Sequence, residues 1–301
     1  MSDRLPFEGE PIAPGHVGRL KRVFVAEKKR TWCYYGPFIC CYSLPPKRQV
    51  FLHEREGSLW LLVLRSDPAG AQIDLLVPPL PFSVKALISF ADELGSVNRR
   101  PLRILWVDEE DARRLPRTLF SIKSKEKEYF YDPVGVAAAS GRAYRDLRKR
   151  LNRFQRSTQA CFREMKPEDV GAGIDLLRLW RRKRRSRLTH LLDWGYSLAA
   201  LNHFGDWSQV DLRGWCVEIE GRLSGLAMVG EMQDDLANFF IAKTDPDVRG
   251  LSEYLRWEVF RSLSHYRLVN DAGDLGLAGL RQYKRKFRPV DCLQVYTAEV
   301  R

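Results

Sequence analysis

Methionine and histidine are scarce, at four and five in 301 residues, and the six cysteines follow no order. Cys33, Cys40, Cys41, Cys161, Cys216 and Cys292 form no C-x-x-C pair and have no histidine at zinc-finger spacing. This argues against a structural zinc site and leaves no metal ligand set to name. The expectation is reduced thiols in a cytoplasmic protein, not a disulfide frame. His190 and His203 stand too isolated for a Ser–His–Asp triad. No apolar run approaches the ~20 residues of a membrane helix. The first stretch, MSDRLPFEGEPIAPGHVGRLKR, has no apolar core behind its charges, so no secretory leader is expected.

What is present is a large cationic excess. Fifty Lys and Arg against 38 Asp and Glu give a net charge of +12. That balance favours a polyanionic partner: nucleic acid, an anionic membrane surface or a phosphorylated ligand. The length suits about two domains. Residues 1–36 read as an N-terminal extension. After them, QVFLHE and SLWLLVL flank a turn at Arg55–Glu56–Gly57, IDLLVPPL is a further strand, and SVKALISFADEL is an amphipathic helix with Ser83 as N-cap. LRILWV and EEDARRL continue as strand and helix. The order β-β-β-α-β-α then recurs: CFRE, a helix opened by Pro167, a hairpin around Gly221–Arg222, LANFFIAK, a helix over 249–264, YRLVND, a glycine turn with a basic helix, and DCLQVYTAEV as closing strand. The predicted fold is α/β (α+β), with mixed sheets flanked by helices in two tandem domains, 37–140 and 158–301.

Positive charge concentrates in two places. In 141–157, Tyr144, Leu147, Leu151 and Phe154 make one helical stripe, while Arg142, Arg145, Arg148, Lys149, Arg150, Arg153 and Arg156 fill the other faces against Asp146 alone. This predicts a basic helix connecting the domains. The second is RLWRRKRRSRL, where Arg181, Arg182, Lys183, Arg184, Arg185 and Arg187 form a nearly pure cationic block. One or two cations would complement a helix C-terminus; six point to phosphate contact. Neither segment carries a base-reading motif, so the expected partner is a folded RNA read through its backbone.

The element order in 158–300 resembles the GNAT acyltransferase fold. Three stretches, YFYDPVGVAAASGRAYRDLRKRLNRF, IAKTDPDVRG and NDAGDLGLAGLRQYKRKFRP, together resemble the soluble C-terminal domain of the phosphatidylglycerol lysyltransferases, a tandem-GNAT family of aminoacyl-tRNA-dependent transferases. Asn270, Asp274, Leu275, Gly276, Gly279, Leu280, Arg281, Lys284 and Pro289 stand where the family usually has them. The resemblance implies transfer of an aminoacyl group from charged tRNA to an amine or hydroxyl acceptor, on a small molecule or a lipid head-group. Aminoacyl-tRNA would be the co-substrate and no further cofactor is implied. It also implies tRNA binding by the basic helix, through Arg145, Arg148, Lys149, Arg150 and Arg153, with Arg181, Arg182, Lys183, Arg184 and Arg185 assigned from their charge. Relatives often carry glutamate just before Lys243, where this chain has Ala242. No stretch resembles the membrane-embedded flippase part of the lipid-modifying enzymes, though peripheral membrane contact stays open.

An aminoacyl ester is already activated, so catalysis reduces to positioning and charge stabilisation. Lys284 borders the buried stripe of its helix and is the first candidate for stabilising the oxyanion or leaving oxygen, or for holding the terminal phosphate of the tRNA acceptor end. Glu231 and Asp274 are candidates for binding the substrate ammonium, Glu231 also for the general base, and Asp274 is equally suited to capping the next helix. Asn270, Asp271, Lys243, Gly279 and Arg281 are candidate substrate-binding residues. Two other functions fit the sequence: a coenzyme A-dependent N-acyltransferase, and a non-catalytic module for RNA or anionic surfaces. Against coenzyme A, the loop VRGLSEYL at 248–255 sets Leu251, Ser252 and Glu253 where a pyrophosphate needs small residues.

Overall fold

The computed structural model describes residues 7–67, 70–183 and 189–301. The chain divides into two compact units. The first runs to Lys127 and takes back Leu293–Arg301; the second is Glu128–Cys292. The elements of the first unit begin, in chain order, with β1 (Glu10–Pro11), α1 (Val17–Ala26), α2 (Gly36–Tyr42), β2 (Gln49–Arg55), β3 (Ser58–Asp67), β4 (Gly70–Leu75), α3 (Val84–Leu94), β5 (Arg103–Val107) and α4 (Glu109–Arg114). The long strand β6 (Phe120–Tyr131) carries the chain into the second unit. There follow α5 (Pro133–Ala138), α6 (Arg145–Ser157), β7 (Ala160–Glu164), α7 (Val170–Lys183), α8 (Thr189–Asn202), β8 (Arg213–Ile219), β9 (Arg222–Gln233), β10 (Leu236–Thr244), α9 (Leu251–Ser262), β11 (Leu268–Gly273), α10 (Ala278–Arg285) and β12 (Asp291–Val300).

In the first unit the strand order is β1-β2-β3-β4-β5-β12. Glu56 and Gly57, with φ of 50° and 73°, close a two-residue turn between β2 and β3. The Ser83 hydroxyl accepts from the Ala86 amide and starts α3, which buries Leu87, Phe90 and Leu94 against Trp60, Leu62, Ile73, Leu75 and Ile104. Residues read as an extension belong to this unit: β1 pairs with β2, α1 buries Val17, Leu20 and Phe24, and Trp32, Tyr34, Tyr35 and Phe38 are buried. The prolines and glycines of 1–36 suggested a polar tail, but the aromatic run after them draws this segment into the core.

In the second unit the order is β6-β11-β10-β9-β8-β7. The β8–β9 turn is made by Glu220 and Gly221, both at positive φ, one residue earlier than the sequence suggested. The boundary placed at 140 falls instead between Lys127 and Glu128. The closing strand, assigned by sequence to the second domain, pairs antiparallel with β5 in the first. A strand's pattern fixes which face it buries, not which neighbour it joins, so this return was invisible. The α6 helix does bury Leu147, Leu151 and Phe154, its anticipated stripe.

Among the parallel pairs, β10 and β11 position the site. Their register runs Leu236↔Leu268, Ala237↔Val269 and Asn238↔Asn270 and stops. Beyond that rung β10 continues along β9, where a bulge lies between Phe239 and Ile241, and β11 continues along β6. The two parallel strands therefore part at their C-terminal ends, where open α/β sheets place ligands.

Candidate active site

Three charged side chains meet where β10 and β11 part. Asp271 follows the last shared rung on β11. Arg256, from α9, donates to its carboxylate through Nε at 3.1 Å and Nη2 at 3.2 Å. Lys284, from α10, lies 3.3 Å from the same carboxylate and also donates to the Asp271 carbonyl. Lys284 is only 3% exposed, so it lies inside the core and not at its edge. Burial alone would raise the Asp271 pKa, but Arg256 and then Lys284 outweigh it and hold the carboxyl below its usual value. Burial likewise works against the charge on Arg256, and Asp271 overcomes it. Two cations thus share one carboxylate. Around it, the Arg256 guanidinium lies 5.1 Å from the Phe239 ring and 5.3 Å from the Tyr283 ring. The Tyr283 hydroxyl is 2.6 Å from Ser252 Oγ, and burial pushes its pKa up to about 12.

The glycine turn is held separately. Asp274 is fully buried and accepts from the Tyr129 hydroxyl at 2.9 Å, Arg281 Nε at 2.8 Å and the Gly276 amide at 3.0 Å. The geometry is that of a residue fixing the approach to α10, and Arg281 is tied to it. Of the three glycines in the turn, Gly276 alone has positive φ. Gly279 sits exposed in the first turn of α10, and a methyl group there would meet nothing within 4 Å.

Asn270 points to the opposite face from Asp271, where its Nδ2 donates to the buried Glu128 at 2.8 Å. Lys243 lies on that face too, its ammonium 4.5 Å from the Trp180 ring of α7. Glu231 stands on β9, two strands from Asp271, and accepts from the Tyr266 hydroxyl at 3.2 Å. The fold thus pairs predicted residues twice, Asp271 with Lys284 where the strands part and Asp274 with Arg281 in the turn. Arg256 escaped the sequence reading because a lone arginine within an amphipathic helix carries no local signal.

The predicted RNA-binding cations divide. Arg145, Lys149 and Arg153 are exposed along α6. Arg148 donates to the carbonyls of Ala139 (2.5 Å) and Gly141 (2.7 Å), and Arg150 reaches Glu253 at 3.5 Å. Arg181 stacks on Trp194 at 4.5 Å, Arg182 is exposed, and Lys183 pairs with Asp245 (3.2 Å) and Asp247. Arg184 and Arg185 lie outside the described residues.

The start of α9, where a GNAT enzyme would hold coenzyme A pyrophosphate, is filled by the protein. Glu253 is buried in its first turn, paired with Arg150 and with Lys286 at 3.1 Å. Gly250 lies so near Phe154 that an added Cβ would sit 3.3 Å from its Cβ. Among the described residues no group of three or more His, Cys, Asp or Glu could hold a metal ion, and no helix is long and apolar enough to cross a membrane.

A model of the family described as phosphatidylglycerol lysyltransferase, C-terminal, matches residues 43–299. The chain belongs to this family. It is thereby a member of a transferase family. No curated protein matches the sequence. Among solved structures, a conserved protein of unknown function from Bacteroides thetaiotaomicron superposes with a TM-score of 0.80 at 16% identity, covering 98% of this chain and 100% of that one. The L-PGS structure from Bacillus licheniformis gives 0.66 at 15% identity, with 97% and 93% covered. A tandem GNAT protein from the clavulanic acid biosynthesis pathway gives 0.52 at 15% identity, with 97% and 98% covered. At these identities the likeness establishes the fold, and that fold is the tandem GNAT-like arrangement expected from sequence.

Proposed function

We propose that this lysyltransferase-family protein moves an aminoacyl group from aminoacyl-tRNA to an amine or hydroxyl acceptor. The observation that carries the reading is the buried Arg256–Asp271–Lys284 cluster at the parting of β10 and β11. Attack on the ester carbonyl forms the new C–N or C–O bond and places negative charge on the carbonyl oxygen. Collapse breaks the ester bond, and the ribose oxygen leaves with a proton, matching the one the nucleophile loses. A buried cationic field fixed before reaction stabilises both oxygens more than water would. Asp271 acts as a positioning residue for Lys284. Glu231, oriented by Tyr266, receives the substrate ammonium.

Two features support a charged tRNA over coenzyme A as donor. Glu253 occupies the α9 N-terminus with its own carboxylate, and α6 presents a row of exposed cations. Leu275 and Leu277 are exposed just before α10, and Arg281 and Arg285 are exposed on that helix. This favours an acceptor presented at an anionic lipid surface.

The test incubates the protein with a panel of charged tRNAs and acceptors and follows loss of the ester. Lys284→Met should lower kcat by roughly 10²–10³, the scale of losing one oxyanion stabiliser, while leaving tRNA affinity in place. Melting of the variant controls for folding. Unchanged turnover in a folded Lys284→Met protein would remove the cluster from the mechanism; acyl transfer from acetyl-coenzyme A alone would replace the donor.

A further inference from the structure

The first unit holds a second cationic cluster, on the face of its sheet turned away from α3. Arg48 precedes β2 and is 9% exposed. Its guanidinium lies 3.7 Å from the Tyr42 ring, and its Nε donates to the Tyr42 carbonyl at 2.6 Å. Its Nη2 is out of water and has no hydrogen-bond partner. The same tyrosine accepts from Arg65 Nη2 through its hydroxyl, at 3.2 Å. Arg65 also donates to Asp74, and Arg103 reaches that carboxylate at 2.8 Å. Asp74 is fully buried and takes a further bond from Gln72 at 3.2 Å. Arg65 and Arg103 therefore share the Asp74 carboxylate, while Arg48, on the other side of their common contact Tyr42, has no carboxylate among its partners.

We propose that this cluster is an anion site taking the phosphate-class oxyanion of a small ligand, with Arg48 at its floor and Arg65 and Arg103 at its mouth. A buried cation without a counter-ion is costly, and an anionic ligand would supply that counter-ion. Burial lowers the pKa of Arg48 most; Tyr42 opposes it, and the like charge of Arg65 adds to the lowering, so an arriving anion relieves both penalties. Planar guanidinium forks suit a tetrahedral oxyanion that offers several acceptors. The side chains of Arg65 and Arg103 are 29% and 39% exposed, giving solvent access from one side. Because Arg48 is buried, a compact terminal group reaches it whereas a polynucleotide backbone would meet only the two outer arginines.

Isothermal titration of the full chain with inorganic phosphate, at ionic strength matched by chloride, tests the site. A parallel titration with glycerol 3-phosphate separates a free ion from an esterified one. Wild-type protein should bind at least one of them saturably and melt higher in its presence. Arg48→Met should weaken that binding about tenfold or more, as expected for losing charge-assisted bonds. In the absence of phosphate the same variant should melt at or above wild type, because a buried unpaired charge has gone. Arg103→Gln, at a part-exposed position, should weaken binding without disturbing the fold and serves if Arg48→Met does not fold. The proposal is overturned by absence of saturable binding of either probe, or by binding unchanged in a folded Arg48→Met or Arg103→Gln protein.

Discussion

At the scale of single residues, helical phase brought Lys284 into view, and tertiary pairing decided its environment. Phase said that one lysine of α10 leans towards the core. It could not say that Asp271 on β11 and Arg256 on α9 would close around it, because those contacts join residues 13 and 15 apart on different elements. A second buried cluster shows what such pairing does to titration. In the first unit Lys29 donates to Asp108 at 2.8 Å and to Asp111 at 2.6 Å. Burial, and then the neighbouring Asp108 charge, push the Asp111 pKa up to about 6, against the pull of Lys29. Lys29 itself stays charged well above this range. An unfolded aspartate titrates at about 3.9, so between about 4 and 6 the folded state binds the extra proton. Stability is then highest below that window and is lost as pH rises through it. Asp111→Asn should flatten this slope. Urea midpoints measured from about pH 4 to pH 7 check it, and an unaltered slope would show that Asp111 titrates normally.

At the scale of elements, most helices and strands were legible because their patterns are local. The α3 cap at Ser83, the α9 stripe from Leu251 to Leu263 and both hairpins follow from residues within one or two turns. The β6 strand was not, since Lys123, Lys125 and Lys127 interrupt its apolar pattern. The partner of β12 was not either. Within the candidate site, α10 raises a separate question. Gly279 lies in a helix, has no positive φ and has open space beside it, so neither backbone geometry nor packing demands a glycine. Glycine in a helix costs roughly 0.5–1 kcal/mol relative to alanine. Gly279→Ala should therefore stabilise the protein by about that amount. If the position lets substrate approach the α10 backbone, the same change should lower kcat/KM. A variant that gains stability and keeps full kcat/KM would take Gly279 out of the binding site.

At the scale of the whole molecule, the net charge of +12 pointed to a polyanion, and on α6 the structure separates exposed cations from engaged ones. On α6 the sequence could count cations but not assign them. Arg148 is spent on the carbonyls after α5 and Arg150 on Glu253. Arg145, Lys149, Arg153 and Arg156 remain exposed at i, i+4, i+8 and i+11, which a helix aligns as one stripe. If this stripe meets the tRNA backbone, each contact displaces condensed counterions, and log affinity falls with log salt by about 0.7–0.9 per phosphate. Replacing Arg145, Lys149 and Arg153 together by alanine should then reduce the slope by about 2–3 and leave melting nearly unchanged, since all three side chains are solvated. Arg148→Ala and Arg150→Ala should do the reverse, lowering stability while keeping most of the slope. Equal slopes in the triple variant and wild type would place the RNA elsewhere on the surface. A loss of slope confined to Arg148→Ala or Arg150→Ala would show that those two leave their intramolecular partners when RNA binds.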